Sequence, residues 1–224
     1  MKRSTRLVIL GASLALNACA ALSGKHASFV VYAPQLQIAA AEKPATQAAI
    51  DWQLLIDTPL ASAALDTRRI AIMTRPGVLE VYADARWRDP APLMLRSLLV
   101  QAFDQDGRVG GVSAIDSGLN GDYSLAMDVR DFQIEIVDGA ARAAIRFTAR
   151  LFDRSSNRII ASESFSAETP AASADVANGV DAFTAALDQV LPKVVTWTIE
   201  HAQANRAAAG ADDNSTRAIR DKDK

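Results

Sequence analysis

The alternation of apolar and polar side chains through residues 122–166 constrains the fold of this chain more than any other feature. Two sets of alternating apolar residues follow one another but differ in phase by one position: Leu125, Met127 and Val129, then Phe132, Ile134 and Ile136. A regular strand would turn its apolar face over at such a slip, so we predict a β-bulge near Arg130-Asp131. Asp138-Gly139 is a favoured hairpin turn. The segment therefore predicts a β-rich half of the domain.

Shorter strand signals and a helix precede this region. Residues 52–56, 69–73 and 78–82 combine β-branched or aromatic side chains with flanking turn residues. Asp89-Pro90 is typical of a helix start, with Asp89 as the N-cap and Pro90 at the first helical position. Apolar residues at helical spacing follow until Gly107, which ends the pattern.

A second, longer helix is predicted from about Ser173 to about Ala204. Its apolar side chains recur every three or four residues as far as Trp197 and form one stripe. Pro192 interrupts the stripe and should kink the helix or split it in two. Because each helix has a single apolar stripe, we expect an α+β fold: a two-layer sandwich in which a mixed or antiparallel sheet carries both helices on one face.

The N-terminus has the layout of a bacterial lipoprotein signal. Three basic residues among the first six precede an apolar run over residues 7–16. That run is too short to cross a bilayer, which takes about 20 apolar residues, but it suits a signal peptide. Residues 16–19 (Leu-Asn-Ala-Cys) then resemble a lipobox, so we expect Cys19 to carry a diacylglycerol and, after cleavage, an N-acyl chain. The alternative is an ordinary secretory peptide cut after residue 18 or 20.

These features divide the chain into four parts: a signal peptide (1–18), a lipidated N-terminus and tether (19–50), a folded domain (51–204) and a disordered tail (205–224). Within the tether, Phe29–Tyr32 is a candidate edge strand. Cys19 is the only cysteine, so no internal disulfide can form and the core must hold the fold. Without its signal peptide the chain has 21 basic and 26 acidic residues, a net charge of −5, and no basic stripe for nucleic acid.

No group of residues has the spacing of a catalytic, metal or cofactor site. His26 and His201 lack partners at metal-ligand spacing. Residues 104–107 imitate the start of a calcium loop but lack its later ligands, and the glycines that follow make neither a dinucleotide fingerprint nor a phosphate loop. We therefore expect a binding or assembly protein and no enzyme, with no cofactor beyond the acyl chains of Cys19.

Several segments, in order, resemble the ABC-type transport auxiliary lipoprotein family. Residues 65–72 (LDTRRIAI) are similar to its strand entry, residues 79–92 (LEVYADARWRDPAP) to an aromatic segment, and residues 122–132 to a later Asp-Tyr pattern that ends in Phe. The resemblance runs from about Phe29 to Trp197. Its aromatic positions are Tyr82, Trp87, Tyr123 and Phe132. Each is a candidate for a partner surface or for core packing, and core packing is preferred for Trp87 and Phe132.

The resemblance implies a periplasmic accessory subunit held at the outer membrane through Cys19. Its partner would be a mammalian-cell-entry (MCE) domain protein of an ABC-type system that moves phospholipid or another lipid between the two membranes. Another subunit would hydrolyse ATP. Whether the protein forms a homo-oligomer is left open. In family terms, Ala20 after the cysteine favours sorting to the outer membrane. Two alternatives remain: a lipid-binding periplasmic chaperone with an apolar cavity between sheet and helices, and a structural envelope lipoprotein without a transport role.

Overall fold

The computed structural model describes residues 28–37 and 50–222, with side chains through residue 211. Within these residues, one mixed sheet of eight strands carries two helices on one face. The strands are β1 (Val30–Tyr32), β2 (Ile50–Ile56), β3 (Arg69–Arg75), β4 (Val78–Trp87), β5 (Val109–Ala114), β6 (Tyr123–Val137), β7 (Ala140–Asp153) and β8 (Arg158–Pro170). The helices are α1 (Ala91–Asp106) and α2 (Val176–Lys222). This is the α+β fold that the sequence predicts.

Strand β6 organises the sheet because it is long enough to pair with three neighbours. One of its edges pairs with β7 in antiparallel fashion along nearly the whole strand. The other edge is shared: β2 pairs with its first part and β3 with its second part, both in parallel. β5 extends the sheet beyond β2, β4 and then β1 extend it beyond β3, and β8 extends it beyond β7. The sheet therefore forks at β6 and ends in three outer strands, β1, β5 and β8.

The predicted bulge and hairpin in this region are both confirmed. The pairing of β6 with β7 shifts register between Val129 and Asp131. At the hairpin turn, φ is 51° at Asp138 and 80° at Gly139, values that these two residue types tolerate better than most. The bulge brings the two out-of-phase apolar sets of β6 onto the same side of the sheet, which explains why both pack against the core, with only Ile136 partly buried.

Helix α1 ends as predicted but begins differently. Its C-cap is Gly107, with φ of 68°, and the Gly107 N–H donates to the carbonyl oxygen of Phe103 at 2.9 Å. The prediction of Asp89 as N-cap is wrong, because Pro90 occupies that position without a side-chain cap. The Asp89 carboxylate instead accepts a hydrogen bond from the Arg88 guanidinium at 3.0 Å.

Helix α2 is longer than the sequence indicates. It begins at Val176 and runs unbroken through Pro192 to Lys222, so a split at the proline and an end near Ala204 are both wrong. Residues 205–222 are helical where the sequence predicted a disordered tail. The first residues of this stretch include three consecutive alanines at 207–209, which favour continuation of the helix, and the stretch contains no proline.

The predicted edge strand near the N-terminus is confirmed as β1. It pairs in parallel with the end of β4, Val30 opposite Ala85 and Tyr32 opposite Trp87. The residues that follow also pack on the domain, since Leu36 is buried and the Gln37 N–H donates to the carboxylate of Asp188 in α2 at 2.9 Å. Part of the segment predicted as a tether therefore belongs to the folded domain.

Candidate docking site

Three of the four aromatic residues singled out from the sequence lie in the core: Trp87, Tyr123 and Phe132. Trp87 is 1% exposed and Phe132 is 2% exposed. Both meet Phe183 of α2, with ring centroids 5.3 Å from Trp87 and 4.9 Å from Phe132. Such aromatic pairs contribute about 0.5–1.5 kcal/mol each beyond their burial. These residues therefore hold β4, β6 and α2 together rather than forming a surface.

The two tyrosines fasten the sheet to α2 and the segment before it. Tyr123 is 3% exposed, and its hydroxyl donates to the carbonyl oxygen of Ala202 at 3.1 Å. Tyr82 is half-buried, and its hydroxyl donates to the carbonyl oxygen of Ala174 at 2.8 Å. Burial, and then the negative charge of Asp175, raise the pKa of Tyr82. Of the four motif aromatics, Tyr82 alone reaches the surface, and it does so beside the start of α2.

An open groove of about 790 Å³ lies between β8 and α2. Phe165 and Trp197 form its floor, with ring centroids 5.6 Å apart and ring planes at 78°. The ring of His201 lies 5.0 Å from that of Trp197, and its Nδ1 lies 2.8 Å from the Trp197 carbonyl oxygen. Because Phe165 and Trp197 are 6% and 7% exposed, they offer a narrow apolar strip and stay anchored in the core.

The rim of this groove is charged and includes a strand edge. Glu163 of β8 and Lys193 and Glu200 of α2 line the groove and are exposed. Among the described residues, β8 pairs only with β7, so its outer edge presents N–H and C=O groups without strand partners. An open strand edge beside an aromatic floor suits an extended segment of a partner, whose backbone would pair with β8 and whose side chains would enter the groove.

A second groove, of about 460 Å³, lies where the end of the sheet meets α2. Its polar groups are largely bonded to one another: the Asn205 amide donates to Asp153 at 3.1 Å, and Arg206 donates to Asp51 at 3.1 Å. The Ser155 hydroxyl, neighbouring backbone N–H groups and Asn205 hydrogen-bond to the Asp153 carboxylate and hold its pKa below the usual range. These bonds fasten α2 to the sheet, which makes this groove the weaker candidate for docking.

The expected anchor at Cys19, together with His26, lies outside the described residues. Within residues 28–37 and 50–222, no cluster of three or more His, Cys, Asp or Glu side chains is arranged to hold a metal ion. Neither described helix combines the length and apolar character needed to cross a membrane.

Sequence reasoning missed the β8–α2 groove because Phe165 and Trp197 are far apart in the chain and each fits an ordinary core pattern. Two local signals do mark the groove. Glu163 shares the apolar side of its strand, and Pro192 interrupts the apolar stripe of α2. Both residues line the groove.

The fold and this groove define a class of protein, a packed α+β domain with an open strand edge beside an aromatic groove. The family model of the ABC-type transport auxiliary lipoprotein component matches residues 35–195, and the chain belongs to this family. The matched span includes β2 to β8, α1 and the first part of α2. Members are auxiliary lipoproteins of transport systems, a kind of protein that is not enzymatic.

Solved structures share this fold. The crystal structure of protein XCC0632 from Xanthomonas campestris is 35% identical to this chain, with a TM-score of 0.71, and the match covers 80% of this chain and 99% of that one. The crystal structure of an uncharacterized protein is 16% identical, with a TM-score of 0.53 over 81% of this chain and 99% of that one. The second likeness concerns the fold alone. No curated protein matches the chain.

Proposed function

We propose that this protein is the docking subunit of an ABC-type system that moves phospholipid or another lipid between the inner and outer membranes. Its partner would be an MCE-domain protein. The observation that carries the proposal is the groove between β8 and α2, where an open strand edge runs beside the Phe165–Trp197 floor. Membership of a family of transport auxiliary lipoproteins supports a role beside a transporter.

The acyl chains of Cys19 would hold the domain on the inner leaflet of the outer membrane. Each buried methylene contributes about 0.8 kcal/mol, and stable anchoring takes at least two chains. A diacylglycerol with an N-acyl chain meets that requirement. The residue after the cysteine is Ala20, which favours the outer membrane in this family.

In the proposed complex, an extended segment of the MCE-domain protein adds a strand to β8. Backbone hydrogen bonds to the strand edge supply affinity, and the groove beside them supplies specificity. Glu163 and Glu200 stand on opposite walls of the groove, so a basic side chain on the partner would meet complementary charge.

The alternative of a lipid-binding chaperone requires an apolar cavity between the sheet and the helices. The described core is filled there: Trp87 and Phe132 meet Phe183, and Phe147 stacks with Phe165 at 5.9 Å between ring centroids. An acyl chain would have to displace these side chains, so the packing favours docking over lipid carriage. The other alternative, a structural envelope lipoprotein without a transport role, would not bind an MCE-domain protein.

Capture of the MCE-domain protein tests the proposal. Tagged lipoprotein, extracted in mild detergent, is expected to recover the MCE-domain protein from the same membranes. A Glu200→Arg variant should recover at least about tenfold less, because like charge at an interface costs several kcal/mol. Asp104→Arg is the matched control, since Asp104 is an exposed carboxylate on α1, away from the groove.

Two results would overturn the proposal. Wild-type protein that recovers no MCE-domain protein, together with normal detergent resistance in a deletion strain, would remove the transport role. Equal losses in Glu200→Arg and Asp104→Arg would remove the groove as the docking site.

A further inference from the structure

A cluster of arginines and exposed apolar side chains lies where β1 joins the sheet, and we infer that it binds the anionic headgroups of phospholipids. This inference extends the proposed function, because the membrane in question is the one that the acyl chains of Cys19 would enter. We call this surface the arginine edge. It comprises Arg68, Arg69, Arg86, Arg88, Phe29 and Val31.

Strand pairing brings two arginines together without a folding advantage. The antiparallel register of β3 and β4 places Arg69 directly opposite Arg86. Like charges directly opposite in a sheet are destabilising. Both residues are exposed, while their chain neighbours Ile70 and Trp87 are buried on the helix side. The pair therefore points from the uncovered face of the sheet, where a bound anion would relieve its repulsion.

The other two arginines add to this positive charge. The side chains of Arg68 and Arg88 are 60% and 61% exposed and share Asp89, at 3.9 and 3.0 Å. Among the described residues, Asp89 is the one carboxylate within ion-pair distance of the four guanidinium groups. The arginine edge thus has a surplus of positive charge on a chain whose mature form is negative overall. Guanidinium groups bind phosphate through paired hydrogen bonds.

Exposed apolar side chains accompany the charge. The Arg86 guanidinium carbon lies 4.1 Å from the centre of the Phe29 ring, and Phe29 is 44% exposed. Val31 is 54% exposed and is paired with Arg86 across β1 and β4. Apolar and aromatic groups beside basic ones are the combination that binds at the surface of anionic membranes. A soluble anion would account for the arginines but not for Phe29 and Val31.

The arginine edge is also close to the proposed anchor along the chain. Phe29 is ten residues after Cys19, and ten residues span at most about 35 Å. The groove at β8 lies at the other end of the strand order β1-β4-β3-β6-β7-β8, about 24 Å away at the usual strand spacing. This arrangement places the membrane contact at one edge of the sheet and the docking groove at the opposite edge.

Vesicle binding by the chain without acyl groups tests the inference independently of the anchor and of the MCE partner. A Cys19→Ser chain that starts at residue 19 keeps every described residue. It should bind vesicles that contain phosphatidylglycerol and bind pure phosphatidylcholine much more weakly. The Arg69→Gln/Arg86→Gln variant should bind the anionic vesicles about 25-fold more weakly, because each basic residue near such a surface contributes about fivefold.

Matched controls separate the arginine edge from general charge. Arg154→Gln/Arg158→Gln removes two exposed arginines at the turn between β7 and β8 and should change binding by no more than about twofold, because a charge beyond the Debye length of the surface is screened. A Val31→Trp reporter should be quenched by brominated anionic lipid. Melting temperature should change little in Arg69→Gln/Arg86→Gln, since relief of the repulsion offsets the lost contact between Arg86 and Phe29.

Three results would overturn the inference: no preference for phosphatidylglycerol, equal losses in the two double variants, or displacement from vesicles by inorganic phosphate at constant ionic strength. The last would identify a free-anion site. None of them alters the capture of the MCE-domain protein, so failure of the membrane contact and failure of the proposed function are distinguishable.

Discussion

The two faces of the sheet carry opposite chemistry. The face covered by the helices is apolar and aromatic, and α2 adds Phe183 to it. On the uncovered face, Arg142 of β7 lies between Glu135 of β6 and Glu168 of β8, at 2.8 Å from each carboxylate. The first face holds the fold, and the second carries ion pairs that are partly exposed to water. The uncovered face can therefore vary without loss of the core, whereas the groove floor of Phe165 and Trp197 belongs to the core and cannot.

The largest expected effect comes from creating a cavity in the core, on the face of the sheet that the helices cover. Phe183→Ala removes the ring that joins Trp87 to Phe132 and should lower the free energy of unfolding by about 3–5 kcal/mol. Urea denaturation measures the loss. Leu119→Ala is the control, because Leu119 is 59% exposed. A loss below about 1 kcal/mol for Phe183→Ala would mean that the aromatic cluster does not hold the layers together.

A smaller effect tests how closely α2 approaches the sheet. A Cβ at Gly179 would lie 2.7 Å from Cδ1 of Ile134. Gly179→Ala should therefore cost about 1–2 kcal/mol by overpacking, although the same change in a helix normally gains about 1 kcal/mol. Ile134→Val removes the clashing Cδ1. In that background Gly179→Ala should cost less, although Cγ1 of residue 134 would still lie 3.0 Å from the new Cβ. A double-mutant cycle without coupling would contradict the close approach.

Breaking an ion pair on the uncovered face should have a still smaller effect. Arg142→Ala removes contacts to Glu135 and Glu168 but should cost no more than about 1 kcal/mol, since the side chain is partly exposed to water. The loss should shrink further in molar salt. A loss as large as that of Phe183→Ala would contradict the division of roles between the faces.

The smallest expected effect concerns Asp57, which follows β2 at the fork. Burial raises its pKa, against a lowering influence of Arg154, and its Oδ1 has no hydrogen-bond partner. A raised folded pKa means that wild-type stability falls as pH rises from 3.8, the ordinary pKa of the group, through the folded value. Asp57→Asn should therefore be the more stable protein at pH 7, and the difference should vanish below about pH 4. Melting temperatures of the wild type and of Asp57→Asn, measured as a function of pH, test both expectations.

Local signals in the sequence account for much of the fold. The phase slip predicts the bulge, Asp138-Gly139 predicts the hairpin, and Gly107 predicts the end of α1. Each of these features depends on residues that are adjacent in the chain, so it can be predicted from the local sequence. The single apolar stripe of each helix predicts the two layers for the same reason.

Features that depend on distant residues could not be predicted. Strand β5 has two glycines and pairs in parallel with β2. A Cβ at Gly111 would lie 2.9 Å from Cγ of Gln53, so the Gln53 side chain would have to shift. This contact exists only after folding. The docking groove likewise needs Phe165 and Trp197 side by side, and the arginine edge needs the register that sets Arg69 opposite Arg86.

Complementation of a deletion strain tests the central claim, an anchored docking subunit for lipid transport, most directly. Detergent resistance of the outer membrane is measured with wild-type protein, Cys19→Ala and Glu200→Arg. We predict full resistance with wild-type protein and sensitivity with both variants, although each variant folds. Full resistance with a soluble Cys19→Ala protein would contradict the need for the anchor, and full resistance with Glu200→Arg would contradict docking through the groove.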